Sequence, residues 1–175
     1  KATPDDQPRL AFCSCNGFTD YKALNGRDPL LLWQRMLDMH AKDPFSLLVM
    51  GGDQLYCDDL ADREGGFAKL WAWLKPEERA KVKPSEAQVL EGYFDHYLLG
   101  WVRRVDGDRE LPHTPMVRMM ASVPSVMMWD DHDIFDGWGS YESDQGMPYY
   151  KEAFTSARAA FEVYQVRGAA HSRSL

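Results

Sequence analysis

The sequence predicts an α/β fold with a mostly parallel sheet flanked by helices. Three apolar runs of strand length indicate it: residues 9–14, residues 45–50, and the run that follows Pro124 and stops at Asp130. A helix with an apolar face lies between the first two runs, and a strand, a helix and a strand in succession nearly always form a right-handed parallel crossover. The second run, FSLLVM, is apolar throughout, which is typical of a strand covered on both faces.

Capping residues mark where the helices begin. Asp28 and Pro29 supply a cap and a first-turn proline for a helix that runs to about Lys42. Ser85 and Gln88 form a capping box in front of a longer helix in the second half of the chain. Caps and helical periodicity together predict further helical segments at 66–74, 76–81, 88–104, 114–121 and 148–164.

Composition and charge exclude several function classes. The chain has 175 residues, 45% of them hydrophobic, which is enough for one domain with a full core. A formal charge of -7 without any basic run argues against a nucleic-acid surface. No stretch approaches the roughly 20 apolar residues of a membrane span, and the first residues lack the apolar core of a signal peptide. Because the chain begins at Lys1 and not at a methionine, the compartment stays open, with the cytoplasm slightly favoured.

Residues able to bind a metal follow each of the three predicted strands. The first strand leads into Cys15, the second runs through two glycines into Asp53, and the third stops at Asp130, Asp131, His132 and Asp133. Ionisable groups at the ends of buried strands are costly to place together unless a cation lies among them. Since the carboxyl ends of parallel strands meet at one edge of a sheet, we expect these side chains to form one metal site.

The stretch GGDQLYCD, residues 51–58, has the composition of a ligand-binding turn. Paired glycines allow a sharp turn and a close approach of backbone to ligand, and Asp53 then stands where a carboxylate can bridge two cations. Tyr56 could bind a metal through its phenolate. The alternative is a simple tight turn with Tyr56 packed on the surface, because short motifs often match by chance.

The stretch WDDHD, residues 129–133, is a more specific signal. Two consecutive carboxylates and an imidazole after an apolar strand favour a metal site, although Asp and His also form turns and cap helices. Asp130 and Asp131 project differently, so we expect only one of them to contact a metal directly. Cys15 alone is a weaker signal, because a cysteine at a strand end is more often a small buried hydrophobic residue.

Taken together, FCSCNG, GGDQLYCD and PSVMMWDDHDIFDGWGS resemble the first three motifs of the alkaline phosphatase D (PhoD-like) metallophosphatase family. That family belongs to the wider calcineurin-like phosphoesterase fold, so the resemblance implies half of a metallophosphoesterase-type α/β sandwich. It further implies that Cys15, Tyr56 and Asp131 bind metal, that Asp53 bridges the metals, and that His132 stabilises the transferring phosphoryl group. Family members use iron with calcium, which suits thiolate, phenolate and carboxylate ligands; zinc or manganese are the alternatives.

The chain departs from the family pattern in its second half. The later motifs, which supply the remaining metal ligands, have no counterpart here, and the only histidine after Asp133 is His171. We therefore expect residues 1–175 to be the N-terminal portion of a single metallophosphatase catalytic domain. The remainder of that domain is then needed to complete the site.

The sequence hypothesis is hydrolysis of small-molecule phosphate esters at two or more metal ions. Asp53 would hold the metals, a hydroxide generated there would attack phosphorus, and His132 would neutralise charge on the oxygens. Monoesters and diesters both suit such a site. Two alternatives stay open: a non-catalytic calcium-binding α/β domain, and a hydrolase that cleaves another type of bond with the same metals.

Overall fold

The computed structural model describes residues 7–17, 24–61, 86–102, 105–106, 109–110, 114–140, 145–146 and 148–167. The predicted helices at 66–74 and 76–81, and the Ser85 cap, lie outside these residues. The described strands are β1 Leu10–Cys13, β2 Leu47–Gly51, β3 Val105–Asp106, β4 Arg109–Glu110 and β5 Ser125–Met128. The described helices are α1 Leu31–Lys42, α2 Glu86–Tyr97, α3 Pro115–Ser122 and α4 Pro148–Tyr164.

The central feature is a three-stranded parallel sheet in the order β1-β2-β5. Leu48 of β2 pairs with Ala11 of β1, and Met50 of β2 pairs with Met127 of β5. β3 and β4 form a separate antiparallel pair. The sequence prediction of an α/β fold with a parallel sheet and flanking helices is confirmed. All three parallel strands therefore present their carboxyl ends at the same edge.

The helices follow the predicted pattern with differences in α1 and α2. The helix predicted at 88–104 is an α-helix only to Tyr97, and a π-helical turn follows at Leu98–Val102. The other difference is at the start of α1. The helix begins at Leu31 and not at Asp28, because Asp28 closes a separate turn: its Oδ1 accepts a hydrogen bond from Leu30 N at 2.8 Å. α3 begins as predicted, with Thr114 Oγ1 accepting a hydrogen bond from Val117 N at 3.2 Å. No helix in the described ranges is both long and apolar enough to cross a membrane.

The core lies on one face of the sheet. Leu48 and Met50 of β2 are fully buried beneath the helices. On the opposite face the pattern differs from the expected two-sided covering: Phe12 is 70% exposed, Val126 59% and Met128 61%. These side chains share that face because alternate residues of a strand point the same way. Among the described residues, the sheet is thus covered on one side.

Candidate metal centre

The ends of β1 and β2 are held together by backbone hydrogen bonds. Cys15 N donates to Gly52 O at 3.0 Å, and Asn16 N donates to Asp53 O at 2.8 Å. Cys15 and Asp53 both have a φ of 53°, in the left-handed region that non-glycine residues rarely adopt. Such conformations cost free energy and tend to occur at functional sites.

Gly52 allows the ends of β2 and β5 to approach each other. Its φ is +109°, and a Cβ added there would lie 2.8 Å from the Cβ of Asp130. A side chain at this position would therefore be strained and would also push the two strand ends apart. This close approach explains why the second glycine of the GGD motif, Gly52, has no side chain.

Three side chains from the strand ends offer ligand atoms that all lie within 4.8 Å of one another: Asp53, Asp131 and His132. Asp53 is buried and the other two are half-buried. Asp53 Oδ1 is enclosed and has no hydrogen-bond partner among the described residues. A buried carboxylate oxygen without a partner is unfavourable, and a cation among these three groups would satisfy it. The donor set and the unpaired oxygen fit a metal ion.

The electrostatics of Asp53 also favour a cation. Burial raises the pKa of Asp53, the hydrogen bond from Cys15 and the charge of His132 lower it, and the nearby Asp131 raises it again. The net effect is a raised pKa, so the ionised carboxylate is less stable here than in water. A bound cation would reverse that balance.

His132 is oriented by Asp58, a residue that the sequence analysis did not select. The His132 Nδ1 lies 2.8 Å from Asp58 Oδ2, and Asp58 Oδ1 accepts a hydrogen bond from Asp136 N at 2.7 Å. Burial lowers the pKa of His132, but the hydrogen bond and charge of Asp58, with the charges of Asp131 and Asp53, raise it overall. The sequence signal that could have identified Asp58 was its position as the last residue of GGDQLYCD.

Tyr56 lies beside the three-donor group. Its ring centroid is 4.5 Å from that of His132. Burial, followed by the charge of Asp53, raises the pKa of Tyr56 to about 12, so the hydroxyl keeps its proton at neutral pH unless a cation displaces it. Gly17 packs against this ring, and a Cβ there would lie 2.4 Å from Tyr56 Cε2.

The two consecutive aspartates do project differently. Asp131 contributes to the three-donor group, and its Oδ2 also accepts a hydrogen bond from Gly137 N at 2.8 Å. Asp130 caps the short helical turn Asp131–Asp133, where its Oδ1 accepts a hydrogen bond from Asp131 N at 2.9 Å. In the described part of the chain, Asp130 and Cys15 lie outside the group of three, although Cys15 hydrogen-bonds to Asp53.

Asp133, the last of the four ionisable residues after the third strand, lies outside the three-donor group. It is fully buried, and its carboxylate accepts hydrogen bonds from Asp53 N at 2.9 Å, Leu55 N at 3.3 Å and Asp130 N at 3.0 Å. Gln165 Nε2 donates a fourth at 2.9 Å. Burial raises the pKa of Asp133 to about 6, against these hydrogen bonds, which lower it. The Asp133 carboxylate thus links the segment that carries Asp53 to the segment that carries Asp131 and His132.

Comparison with known proteins identifies the family to which the chain belongs. A family model described as PhoD related phosphatase matches residues 4–166, which is most of the chain and includes every site residue above. The chain belongs to the PhoD-related phosphatase family. Membership in this PhoD-related family agrees with the motif resemblance found in the sequence.

One relative of the PhoD-related chain is a protein of Saccharomyces cerevisiae described as uncharacterized protein YGR266W. The two are 29% identical over 167 residues, which covers 87% of this chain and 22% of the yeast protein. The chain therefore spans about a fifth of the length of the curated relative that it matches. No solved structure matches the chain.

Proposed function

We propose that the protein hydrolyses phosphate esters of small molecules with the help of bound metal ions. The observation that carries the proposal is the convergence of Asp53, Asp131 and His132 around a buried, unpaired carboxylate oxygen. Family membership supports the phosphate-ester substrate. The acidic character of the site suits a phosphate only when cations are present, because carboxylates would otherwise repel it.

The proposed ligands are Asp53, Tyr56 and Asp131, with Cys15 and Asp130 at the edge of the site. Thiolate and phenolate groups suit ferric iron, and carboxylates suit calcium, so iron with calcium is the preferred pair and zinc or manganese are alternatives. When bound, such ions supply positive charge that activates water and neutralises phosphate oxygens. Asp53, the central residue of the cluster, is the proposed bridge between two ions.

His132 and Asp58 supply the chain's own contribution to the chemistry. Asp58 accepts the proton of His132 Nδ1, which holds the ring in one orientation and favours the imidazolium. Nε2 is 3.8 Å from Asp136 Oδ1, too far for a hydrogen bond, and so can donate to an oxygen of the phosphate. We assign to His132 the stabilisation of charge on the phosphoryl group.

The remaining part of the proposal is that residues 1–175 are the N-terminal portion of one catalytic domain. The apolar face formed by Phe12, Val126 and Met128 supports it, since a contiguous exposed apolar surface usually marks a contact site. The rest of the polypeptide is the proposed cover, and it would bring the further metal ligands.

The experiment is hydrolysis of aryl phosphate monoesters and diesters by the full-length protein, with metal content measured in parallel. We expect Asp53→Asn to lose bound metal and to lower the rate at least 100-fold, the order of magnitude for loss of a catalytic charge. His132→Ala should lower the rate by a similar factor and lose less metal than Asp53→Asn, which removes the proposed bridge between the ions. Asp38→Asn, an exposed aspartate on α1, is the matched control and should behave as wild type.

Full activity in both site variants would refute the proposal. Stabilisation by calcium alone, without turnover and without the colour of a ferric phenolate or thiolate, would instead support a non-catalytic calcium-binding domain. Turnover of esters or amides that lack phosphorus would point to a hydrolase for another type of bond.

A further inference from the structure

Asn16 and Gly17, the two residues after Cys15, complete the stretch FCSCNG and have no assigned role in the metal site. Gly17 packs on the ring of Tyr56, and a Cβ added to Gly17 would lie 2.6 Å from Tyr56 Cδ2 and 2.8 Å from Cζ. Side-chain carbons do not approach so closely, so a methyl group here would force either the ring or the turn to move. The requirement for glycine comes from this contact, because the φ of Gly17 is not in the left-handed region.

The turn has little freedom to move, because Asn16 makes four polar contacts. Its backbone N–H donates to Asp53 O at 2.8 Å. Its side-chain Nδ2 donates to Gln54 O at 3.3 Å and to Met116 Sδ at 2.9 Å. Its Oδ1 accepts a hydrogen bond from Trp33 Nε1 at 2.7 Å, so both the donor and the acceptor of the amide are engaged. The turn is thus attached to the end of β2, to α1 and to α3, and the aromatic ring is the partner that has to give way.

The same ring contacts His132 and carries its hydroxyl to the metal donors. The ring centroids of Tyr56 and His132 are 4.5 Å apart, with the planes tilted by 38°. Besides burial, the charges of Asp53, Asp58 and Asp131 raise the pKa of Tyr56, so its hydroxyl lies close to these carboxylates. A rotation of the ring away from the turn would therefore change its contact with the imidazole and move the hydroxyl relative to the donors.

We propose that Gly17, fixed in place by Asn16, is a positioning residue that holds the Tyr56 hydroxyl at the metal donors. This inference rests on the proposed function, because it takes Tyr56 to bind a metal ion. A methyl group on residue 17 would leave the fold in place and displace the phenol. Its effect on the site would resemble the loss of an outer support of a metal ligand.

The first test needs neither metal nor turnover. The NMR signal of His132 Cε1–H is recorded in the metal-free, full-length protein, below the raised pKa of His132 so that protonation does not differ between variants. The signal should shift in Gly17→Ala in the same direction as in Tyr56→Leu, because a displaced or absent aromatic ring no longer acts on this proton. Gly146→Ala is the matched control and should leave the signal unchanged, since a Cβ added there meets nothing within 4 Å.

The second test separates positioning from a general loss of structure. Ferric ion is added to the full-length protein as its nitrilotriacetate complex, and bound iron and the ferric phenolate absorption are measured. Gly17→Ala should weaken iron binding roughly 10-fold, the lower end of the effect of losing an outer support of a metal ligand. In the Tyr56→Phe background, which has no phenol oxygen, the same change should have no further effect.

An unchanged His132 signal or unchanged iron binding in Gly17→Ala would overturn the inference. An equal loss of iron binding in the wild-type and Tyr56→Phe backgrounds would overturn it as well, because a structural defect does not depend on the hydroxyl. If the wild-type protein neither binds iron nor hydrolyses aryl phosphates, the proposed function fails. The NMR comparison alone then decides whether Gly17 positions the ring.

Thermal unfolding of each variant is recorded first. If Gly17→Ala does not fold, the change is combined with Tyr56→Ala, which removes the ring that the methyl group would meet. A folded double variant would support the inference, because the fold then tolerates the methyl group once the ring is absent. An unfolded double variant would overturn it.

Discussion

The charge of His132 depends on its contact with Asp58. Burial, the largest single influence, lowers the pKa of this imidazole, and the net rise comes from Asp58 first and from the other carboxylates after it. Asp58 is thus the main cause of the raised pKa of this ring. Asp58 is a positioning residue, because it acts on the reaction through His132.

We predict that Asp58→Asn lowers the pKa of His132 relative to the unmodified, metal-free protein. The burial penalty would remain while its main compensation is lost. In the unmodified protein the folded-state pKa is raised, so this contact stabilises the fold fully below pH 6.5 and loses that effect as the pH rises through the folded value. The measurement is an NMR titration of the His132 Cε1–H signal, with urea unfolding at pH 5.5 and 8.5.

Asp38→Asn serves as the control for this titration, since Asp38 lies on the exposed side of α1. A His132 pKa that stays the same in Asp58→Asn would show that the ion pair is absent in solution. Stability that increases with pH across the neutral range in the unmodified protein alone would contradict the sign of the effect.

Sequence predicted which residues lie together in the candidate site where a local pattern determined their position. Asp53, Asp131 and His132 follow strands, and the strand-end rule brings them together. Asp58 was missed for a physical reason. Its role comes from His132, which is 74 residues away in sequence.

At the scale of elements, the close contact of β2 and β5 determines the site. The two strands pair in parallel and end at Gly51 and Met128, immediately before Gly52 and the aspartates. Sequence predicted these strands well because apolar runs and turn residues are local signals. The two-sided covering of β2 was not observed among the described residues, because an apolar run does not show what packs on each face.

We predict that Gly52→Ala destabilises the protein by about 2–4 kcal/mol, from left-handed strain and the contact with Asp130 together. Gly139→Ala is the matched control, because Gly139 has a φ of +94° but nothing within 4 Å of an added Cβ. That control should lose only the conformational part, about 1–2 kcal/mol. Urea unfolding measures both variants, and equal losses would show that the strand ends tolerate separation.

At the scale of the whole molecule, the sheet has one covered and one exposed face. Phe12, Val49 and Val126 occupy the same register position across β1, β2 and β5 and so lie on one face, where Phe12 and Val126 are exposed and Val49 is half-buried. The exposure of this face was not predictable from sequence, because a strand made of consecutive apolar residues has the same pattern whether one face or both faces are buried.

We predict that Phe12→Ser with Val126→Thr makes the 175-residue chain more soluble and lowers its binding of the dye ANS several-fold, because both changes remove exposed apolar area. In the full-length protein the same pair should lower stability by about 2–4 kcal/mol if the rest of the polypeptide covers this face. Leu32→Ser, an exposed site on α1, is the control. An unchanged full-length protein would show that this face stays open to water.

Asp133 holds the parts of the site together through hydrogen bonds. Its carboxylate links backbone amides of two strand ends and the residue after α4, all within the protein itself. The donor atoms are consequently arranged before any ion arrives, and an empty scaffold would retain its shape. Exchange of one metal ion for another would then depend on the ion concentrations and on the ligands that each ion prefers, and not on refolding of the site.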